Sequence, residues 1–304
     1  MRKQLCDALV DRARNPDMVF LTGDLGFMAL EPLQQTLGER FINAGVAEQN
    51  MVSVSAALAR QGLDAWVYSI APFCYARPFE QIRNDITFHA LPVKLIGNGG
   101  GYGYGVMGPT HHAIEDYGVL LTLPNIKAYI PVFDNDVGEV VSQAGASPLA
   151  SYLRLGRGEQ PADYGVPAYA PWRCLLRGEG IPVIAVGPLA GTYIDACRAM
   201  PESERPTLWA VSELPLALNP PPAELLAHIA RLGRVCLAEE HVERGGFAAE
   251  FALFMLRNGL SARVASLSAR AHRYARYGSQ GYLRKESGLD PANLLDTLDA
   301  LSRA

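Results

Sequence analysis

The sequence has few charges, few cysteines and no long apolar run, and each scarcity removes a class of function. Charged residues are 19% of the 304, and the formal net charge is -4. No face or tail is strongly basic, so nucleic acid is not an expected partner. No apolar run is long enough to span a bilayer. The opening stretch MRKQLCDALVDRAR has an amphipathic helical pattern without the apolar core of a signal peptide, and a cytoplasmic protein is expected. The five cysteines, Cys6, Cys74, Cys174, Cys197 and Cys236, are scattered, odd in number and free of any CxxC pair. That usage fits reduced thiols rather than a disulfide framework or a metal knuckle.

What is present is an alternation of short β-rich runs and helical runs over a 49% hydrophobic chain, the pattern of α/β layers around mostly parallel sheets. Strands are predicted at 18–23, 65–70, 92–98, 126–131 and 151–156, with helices at 45–61, 76–90, 112–121 and 134–146. The stretch Gly158 to Pro171, rich in Pro, Gly and Tyr, has no apolar period and reads as a linker. Beyond it strands are predicted at 182–187, 207–212, 235–240 and 262–267. Helices are predicted at 189–200, 222–231, 246–258 and 291–302. The expectation is two three-layer α/β domains, 1–160 and 172–304, joined by 161–171.

The richest stretch for chemistry is RFINAGVAEQNMVSVSAALARQG, residues 40–62. Asn43 is the expected N-cap of a helix beginning near Gly45, with Glu48 close to the first turn and small residues (Ser53, Ser55, Ala56, Ala57, Ala59) along the body. Periodicity alone describes an ordinary packed helix with an N-terminal acid favoured by the macrodipole. Further on, SIAPFCYARPFEQIRND brings Phe73, Tyr75, Phe79, Arg77 and Arg83 together, and Glu80 with Arg83 suits a local i,i+3 pair. A glycine-rich run from Gly97 to Gly108 follows a strand, but it leads into Pro-Thr-His-His instead of a helix opening on a pyrophosphate. His111 and His112 are adjacent, and adjacent histidines rarely converge on one ion without a third ligand.

These motifs resemble the transketolase superfamily, specifically its pyrimidine-binding and C-terminal domains. The resemblance covers nearly the whole chain. It implies that Glu48 hydrogen-bonds a ring nitrogen of the aminopyrimidine of thiamine diphosphate, driving the cofactor's own amino group into the form that deprotonates the thiazolium carbon. Burial, which raises a carboxyl pKa, is expected to outweigh the macrodipole there. It implies pyrimidine stacking by one of Phe73, Tyr75 and Phe79, in that order of preference. His111 of GPTHH, in the place of the family's GPTHQ-type loop, is implied to be catalytic with Glu48, lining the substrate channel and contacting donor oxygens or assisting proton transfer. Arg157 of YLRLGRGE faces a substrate phosphate, with Arg154 as the alternate, a role suited to a guanidinium. Arg77 faces cofactor, substrate anion or solvent.

The sequence also departs from the family. Where full-length transketolases carry a histidine and an aspartate before GPTH, this chain holds Gly99 and Met107. An altered donor pocket shaped by Tyr102, Tyr104 and Met107 is therefore expected. Glu239, Glu240 and His241, although they look catalytic, are expected to organise an interface. The family holds magnesium and the diphosphate through a GDG motif with a downstream asparagine. Gly23-Asp24-Leu25 begins that motif without completing it. No metal ligand is therefore assigned here, and a separate diphosphate-binding N-terminal subunit is implied. An α2β2 assembly and self-association through both domains follow from the same resemblance. The implied reaction is transfer of a two-carbon ketol unit from a ketose to an aldehyde. The alternatives are the β subunit of a 2-oxoacid dehydrogenase and a non-catalytic regulatory subunit.

Overall fold

The computed structural model describes residues 1–270, 272 and 278–303. The first sheet follows the order β10-β5-β6-β4-β3-β1-β2. Its strands are β1 (Met18–Thr22), β2 (Phe41–Asn43), β3 (Asp64–Ile70), β4 (Lys94–Asn98), β5 (Ile126–Tyr129), β6 (Ala150–Leu155) and the short β10 (Glu213–Leu214). All pairs are parallel except β10 with β5. The second sheet, β12-β11-β8-β9-β7, comprises β7 (Trp172–Leu176), β8 (Gly180–Val186), β9 (Pro206–Val211), β11 (Arg234–Glu239) and β12 (Arg263–Ser268). Only β7 runs antiparallel to its neighbour there.

Side-chain alternation builds the layers. From β1, Met18 and Phe20 enter the core beneath α1 (Arg2–Arg12) and α2 (Glu31–Leu37), whereas Val19 and Leu21 enter the core on the opposite face. From β3, Trp66 and Tyr68 join the first core, Ala65 and Val67 the second. The second face carries α3 (Glu48–Arg60), α4 (Ala71–Tyr75), α5 (Phe79–Gln81) and α6 (Asp116–Leu120), while α7 (Val137–Ala146) closes the first.

The second sheet behaves alike. Val183 and Ala185 pack under α8 (Leu189–Arg198) and α12 (Pro291–Arg303). Ile184 and Val186 pack under α9 (Ala223–Leu232) and α10 (Phe247–Arg257). The remaining helix among the described residues is α11 (Gln280–Glu286). One apolar cluster runs without a break from Val19 through Leu237 to Met255, so the two sheets share a core. Burial of this kind contributes about 25 cal/mol per Å² of apolar surface and is the main source of stability.

Polar pins reinforce the shared core. Arg173 forms a buried ion pair with Asp136 at 2.6 Å, and Lys127 pairs with Glu213 at 2.8 Å. Within the irregular 156–171 connection, Tyr164 donates to the Leu175 carbonyl and Tyr169 to Glu213.

Several local expectations shift. The helix predicted at 45–61 begins at Glu48, and its N-cap position is Ala47 rather than Asn43. The Asn43 amide oxygen accepts instead from the Gly45 N–H at 2.9 Å, and its NH2 donates to Asp24 at 3.1 Å. The helix predicted at 76–90 is divided. Pro72, lacking an N–H, starts α4 early, and Pro78 blocks its continuation. The chain resumes as α5 and then a π-helical turn over Ile82–Thr87. Arg83 donates to Asn84 and is not paired with Glu80. The helix predicted at 112–121 shrinks to α6 because Ala113 instead exchanges backbone hydrogen bonds with Gly101. Strands β2, β7 and β10 and helices α2 and α11 have no counterpart among the sequence expectations.

Candidate functional site

Three connections at the C-terminal ends of the parallel strands β2, β3 and β4 bring the chemistry together, with β1 lying between β2 and β3, the usual place for a site in an open α/β sheet. Glu48 follows β2, Phe73 and Arg77 follow β3, and His111 follows β4. Glu48 is the first residue of α3, and its side chain is 7% exposed. Arg77 donates from Nη1 to Glu48 Oε1 at 2.8 Å while remaining 47% exposed. The same guanidinium lies over the Phe73 ring, 3.9 Å from its centroid. Phe73 in turn meets the His111 imidazole edge-on, with centroids 5.1 Å apart. Tyr104 approaches His111 from another side at 6.3 Å, and its hydroxyl accepts from the Asn98 amide at 2.6 Å. The result is a contiguous path Glu48–Arg77–Phe73–His111–Tyr104.

The electrostatics follow from burial and from Arg77. Burial and then the Arg77 charge hold the His111 pKa below its ordinary value, so its ring is neutral near pH 7. The Thr110 hydroxyl lies 2.9 Å from His111 Nδ1, which leaves Nε2 as the ring's free nitrogen. Beneath the path, burial pushes the Cys74 thiol up, with the Glu48 charge adding to it. Burial likewise pushes the Tyr75 phenol up, and Tyr75 donates to Glu115 at 3.3 Å. Glu115 also pairs with His272 at 2.7 Å. Burial is the largest influence and raises the Glu115 pKa, but the His272 hydrogen bond and charge, the Tyr75 hydrogen bond and the His241 charge together outweigh it, and the carboxyl stays below its ordinary value.

The glycine-rich run shapes this site by close approach. At Gly99 (φ +78°) a Cβ would fall 2.2 Å from the Tyr104 ring, so only glycine admits the tyrosine. The backbone N–H groups of Gly99 and Gly100 both donate to the Leu155 carbonyl, tying the run to β6.

Other candidates are placed elsewhere. Tyr75 is buried beneath the path, and Phe79 packs partly buried against the core. Tyr102 is turned away into the second sheet's core. Its hydroxyl donates to the Arg270 carbonyl, and its backbone N–H donates to Glu240 at 2.7 Å. Met107 is 56% exposed, four residues before His111. Arg157 follows β6 at the same sheet edge, exposed. Arg154 is buried, bonding Asp116 through Nε at 2.7 Å and the Ala113 and Glu240 carbonyls through Nη2 at 3.0 and 2.8 Å.

Glu239, Glu240 and His241 lie where the two sheets meet. Glu239 accepts from the Phe247 and Ala248 N–H groups at the start of α10 and from the Tyr117 hydroxyl. Burial nonetheless pushes its carboxyl up to about 7. Glu240 pairs with Arg284 at 2.7 Å. His241 stacks on Tyr117 at 4.0 Å, gives its Nδ1 proton to the Val242 carbonyl and accepts from the Gly118 N–H at Nε2. The stretch YGSQGYLRKESGLDPANLL (277–295), which in sequence resembles the close of the transketolase C-terminal domain, opens at Tyr277, outside the described residues.

The role of Arg77 was left open by the sequence, since its partner lies 29 positions away on another connection. The site is rimmed by exposed apolar side chains on the loops after β1, β2 and β4: Phe27, Met28, Val46, Val106 and Met107. A surface cavity of about 720 Å³ lies between α1 and α7 around Asp11 and Ser142 and shares no residue with the path. Along the path Glu48 is buried, Phe73, Tyr104 and His111 are half-buried, and Arg77 is exposed.

Comparison with known proteins converges on one family. The family described as the transketolase pyrimidine-binding domain matches residues 6–161. One subunit of the apulose-4-phosphate transketolase of Phocaeicola vulgatus is 30% identical over 86% of this chain and 86% of its own length. Its counterpart in Actinobacillus succinogenes is 28% identical over 88% and 86%. 1-Deoxy-D-xylulose-5-phosphate synthase of Myxococcus xanthus is 31% identical over 93% of this chain, which spans 48% of that protein. Among solved structures, a split-gene transketolase described as an inactive β4 tetramer superposes with a TM-score of 0.83 at 26% identity. The match covers 99% of this chain and 97% of that one.

Proposed function

The chain belongs to the transketolase pyrimidine-binding family, and on that premise we propose that it is the pyrimidine-side subunit of a split transketolase. The reaction is transfer of a two-carbon ketol unit from a small ketose, phosphorylated as in the names of its relatives, to an aldehyde. The observation that carries the reading is Glu48. It is an acid buried at the first turn of a helix, joined through Arg77 to the half-buried Phe73 ring and, beyond it, a neutral histidine, at the C-terminal edge of a parallel sheet.

These residues fit the aminopyrimidine half of thiamine diphosphate. Phe73 offers a face and Glu48 a carboxylate beside it. When bound, the cofactor supplies a nucleophilic thiazolium carbon, deprotonated by its own amino group. This chain's part is to hold a proton between a Glu48 carboxyl oxygen and the pyrimidine ring nitrogen. Phe73 fixes the plane of the ring. Neutral His111, with Nε2 free, exchanges a hydrogen bond with a donor oxygen. Arg157 is assigned to a substrate phosphate at the outer edge, and Met107 and Tyr104 to the donor side of the channel. Tyr102, buried against the second sheet, acts on the pocket only by anchoring the glycine-rich run.

Among the described residues no group of three or more His, Cys, Asp or Glu side chains converges to hold a metal. The diphosphate and its Mg2+ are assigned to a partner subunit, which docks on the apolar rim around Glu48 and completes an α2β2 assembly. Glu48→Gln keeps the size and removes the acid. With the partner present it is expected to abolish donor turnover, measured by aldose release from a ketose phosphate. Undiminished turnover overturns the reading. Robust turnover by this chain alone overturns its dependence on a partner.

A further inference from the structure

We propose that Arg77 is an internal stand-in for the aminopyrimidine, holding its place in the subunit on its own and leaving as the cofactor enters. The inference rests on the functional reading above and goes beyond it. That reading asks two contacts of the pyrimidine: a hydrogen bond to Glu48 and stacking on Phe73. The Arg77 guanidinium makes both at once, at 2.8 Å and 3.9 Å. A guanidinium is a planar, N–H-bearing group of nearly the thickness of a heteroaromatic ring, and it stacks on aromatic faces. The physical need for it is clear. Glu48 is 7% exposed above the buried Cys74, and a carboxylate so placed is costly to leave without a counter-charge. Arg77 supplies that charge from the short connection between α4 and α5, where Pro78 interrupts the helix and the side chain is half exposed. A side chain anchored there can swing outward into solvent without unfolding any element.

The same displacement touches His111. The Arg77 charge is the second of the two influences that hold His111 neutral, after burial, so withdrawing the guanidinium removes that charge from beside the histidine.

The test uses the full chain and the cofactor's pyrimidine half, 4-amino-5-hydroxymethyl-2-methylpyrimidine, followed by ligand-observed NMR. Breaking a half-exposed ion pair and a cation–π contact opposes binding by roughly three- to tenfold. Arg77→Met, which keeps the stem without the charge, is expected to bind the probe tighter by that factor. Arg77→Lys, charged but not planar, is expected to fall between Arg77→Met and the parent chain. The double change Glu48→Gln with Arg77→Met is expected to lose the gain. Equal, weaker or undetectable binding by Arg77→Met, with an unchanged melting temperature, overturns the stand-in role. The functional reading is judged separately, by Glu48→Gln turnover with the partner. If the double variant binds as tightly as Arg77→Met, the probe is not on Glu48, and the site assignment itself falls.

Discussion

Removing the Arg154 guanidinium separates a structural from a substrate-binding arginine. Arg154 is 4% exposed and Asp116 fully buried, with 2.7 Å between Nε and Oδ2. Asp116 also accepts from the Tyr152 hydroxyl at 2.9 Å. Arg154→Met leaves that carboxylate without its cation, a loss of about 3–5 kcal/mol for a buried pair. It also strips donors from the Ala113 and Glu240 carbonyls, at about 1–3 kcal/mol for each acceptor left unsatisfied. Even the lower figure corresponds to a fall of roughly 5 °C in melting temperature for a chain of this length. The double change Asp116→Asn with Arg154→Met strands no charge. It should recover part of the loss, with a coupling of about 2 kcal/mol in a thermal or urea double-mutant cycle. A melting temperature for Arg154→Met within about 3 °C of the parent, together with a raised KM for a phosphorylated donor, would refute the structural account. Arg154 would then be the phosphate ligand that its sequence context suggested.

The His111 ring is expected to titrate below 6.5 in a ring-carbon NMR titration, and Arg77→Met should move it back towards that value. No movement would show that the guanidinium does not act on the imidazole. His241 is likewise held below 6.5 by burial. The unfolded chain therefore takes up this proton first. The stability His241 contributes is complete above about pH 6.5 and is lost as pH falls towards the lower folded value. Glu239, raised to about 7 by burial, runs the opposite way, favouring the fold at acid pH and less so as pH rises through about 7. Comparing the parent with His241→Gln isolates the histidine: their melting temperatures should differ most near about pH 8 and converge near about pH 5. A gap independent of pH would reject the lowered His241 pKa.

The sheets were legible because their strands are uniformly buried around apolar centres and bounded by Gly and Pro, as in Met18–Thr22 and Lys94–Asn98. Three strands escaped for identifiable reasons. β2 and β10 are three and two residues long, and β7 carries Arg173 and Cys174 at the end of a proline-rich stretch. Glu48 and His111 stood out through their surrounding motifs, but what touches them did not. The contact of Arg77 with Glu48 depends on β2 and β3 flanking β1, a fact of topology and not of spacing. Tyr102 and Tyr104 look equivalent in the glycine-rich run, yet their surroundings differ. Gly101 lies at φ +64°, paired with Ala113, and Tyr102 follows it into the second core while Tyr104 stays beside His111.

The strand β10 belongs by sequence to the later half and by hydrogen bonding to the earlier sheet, where it covers β5. Cutting the chain in its proline-rich connection would strip that cover and leave a bare row of amide and carbonyl groups, a template for fibrous stacking. The two halves are therefore not interchangeable cassettes. Any recombination that respects this protein must carry residues 1 to 214 at least as one piece.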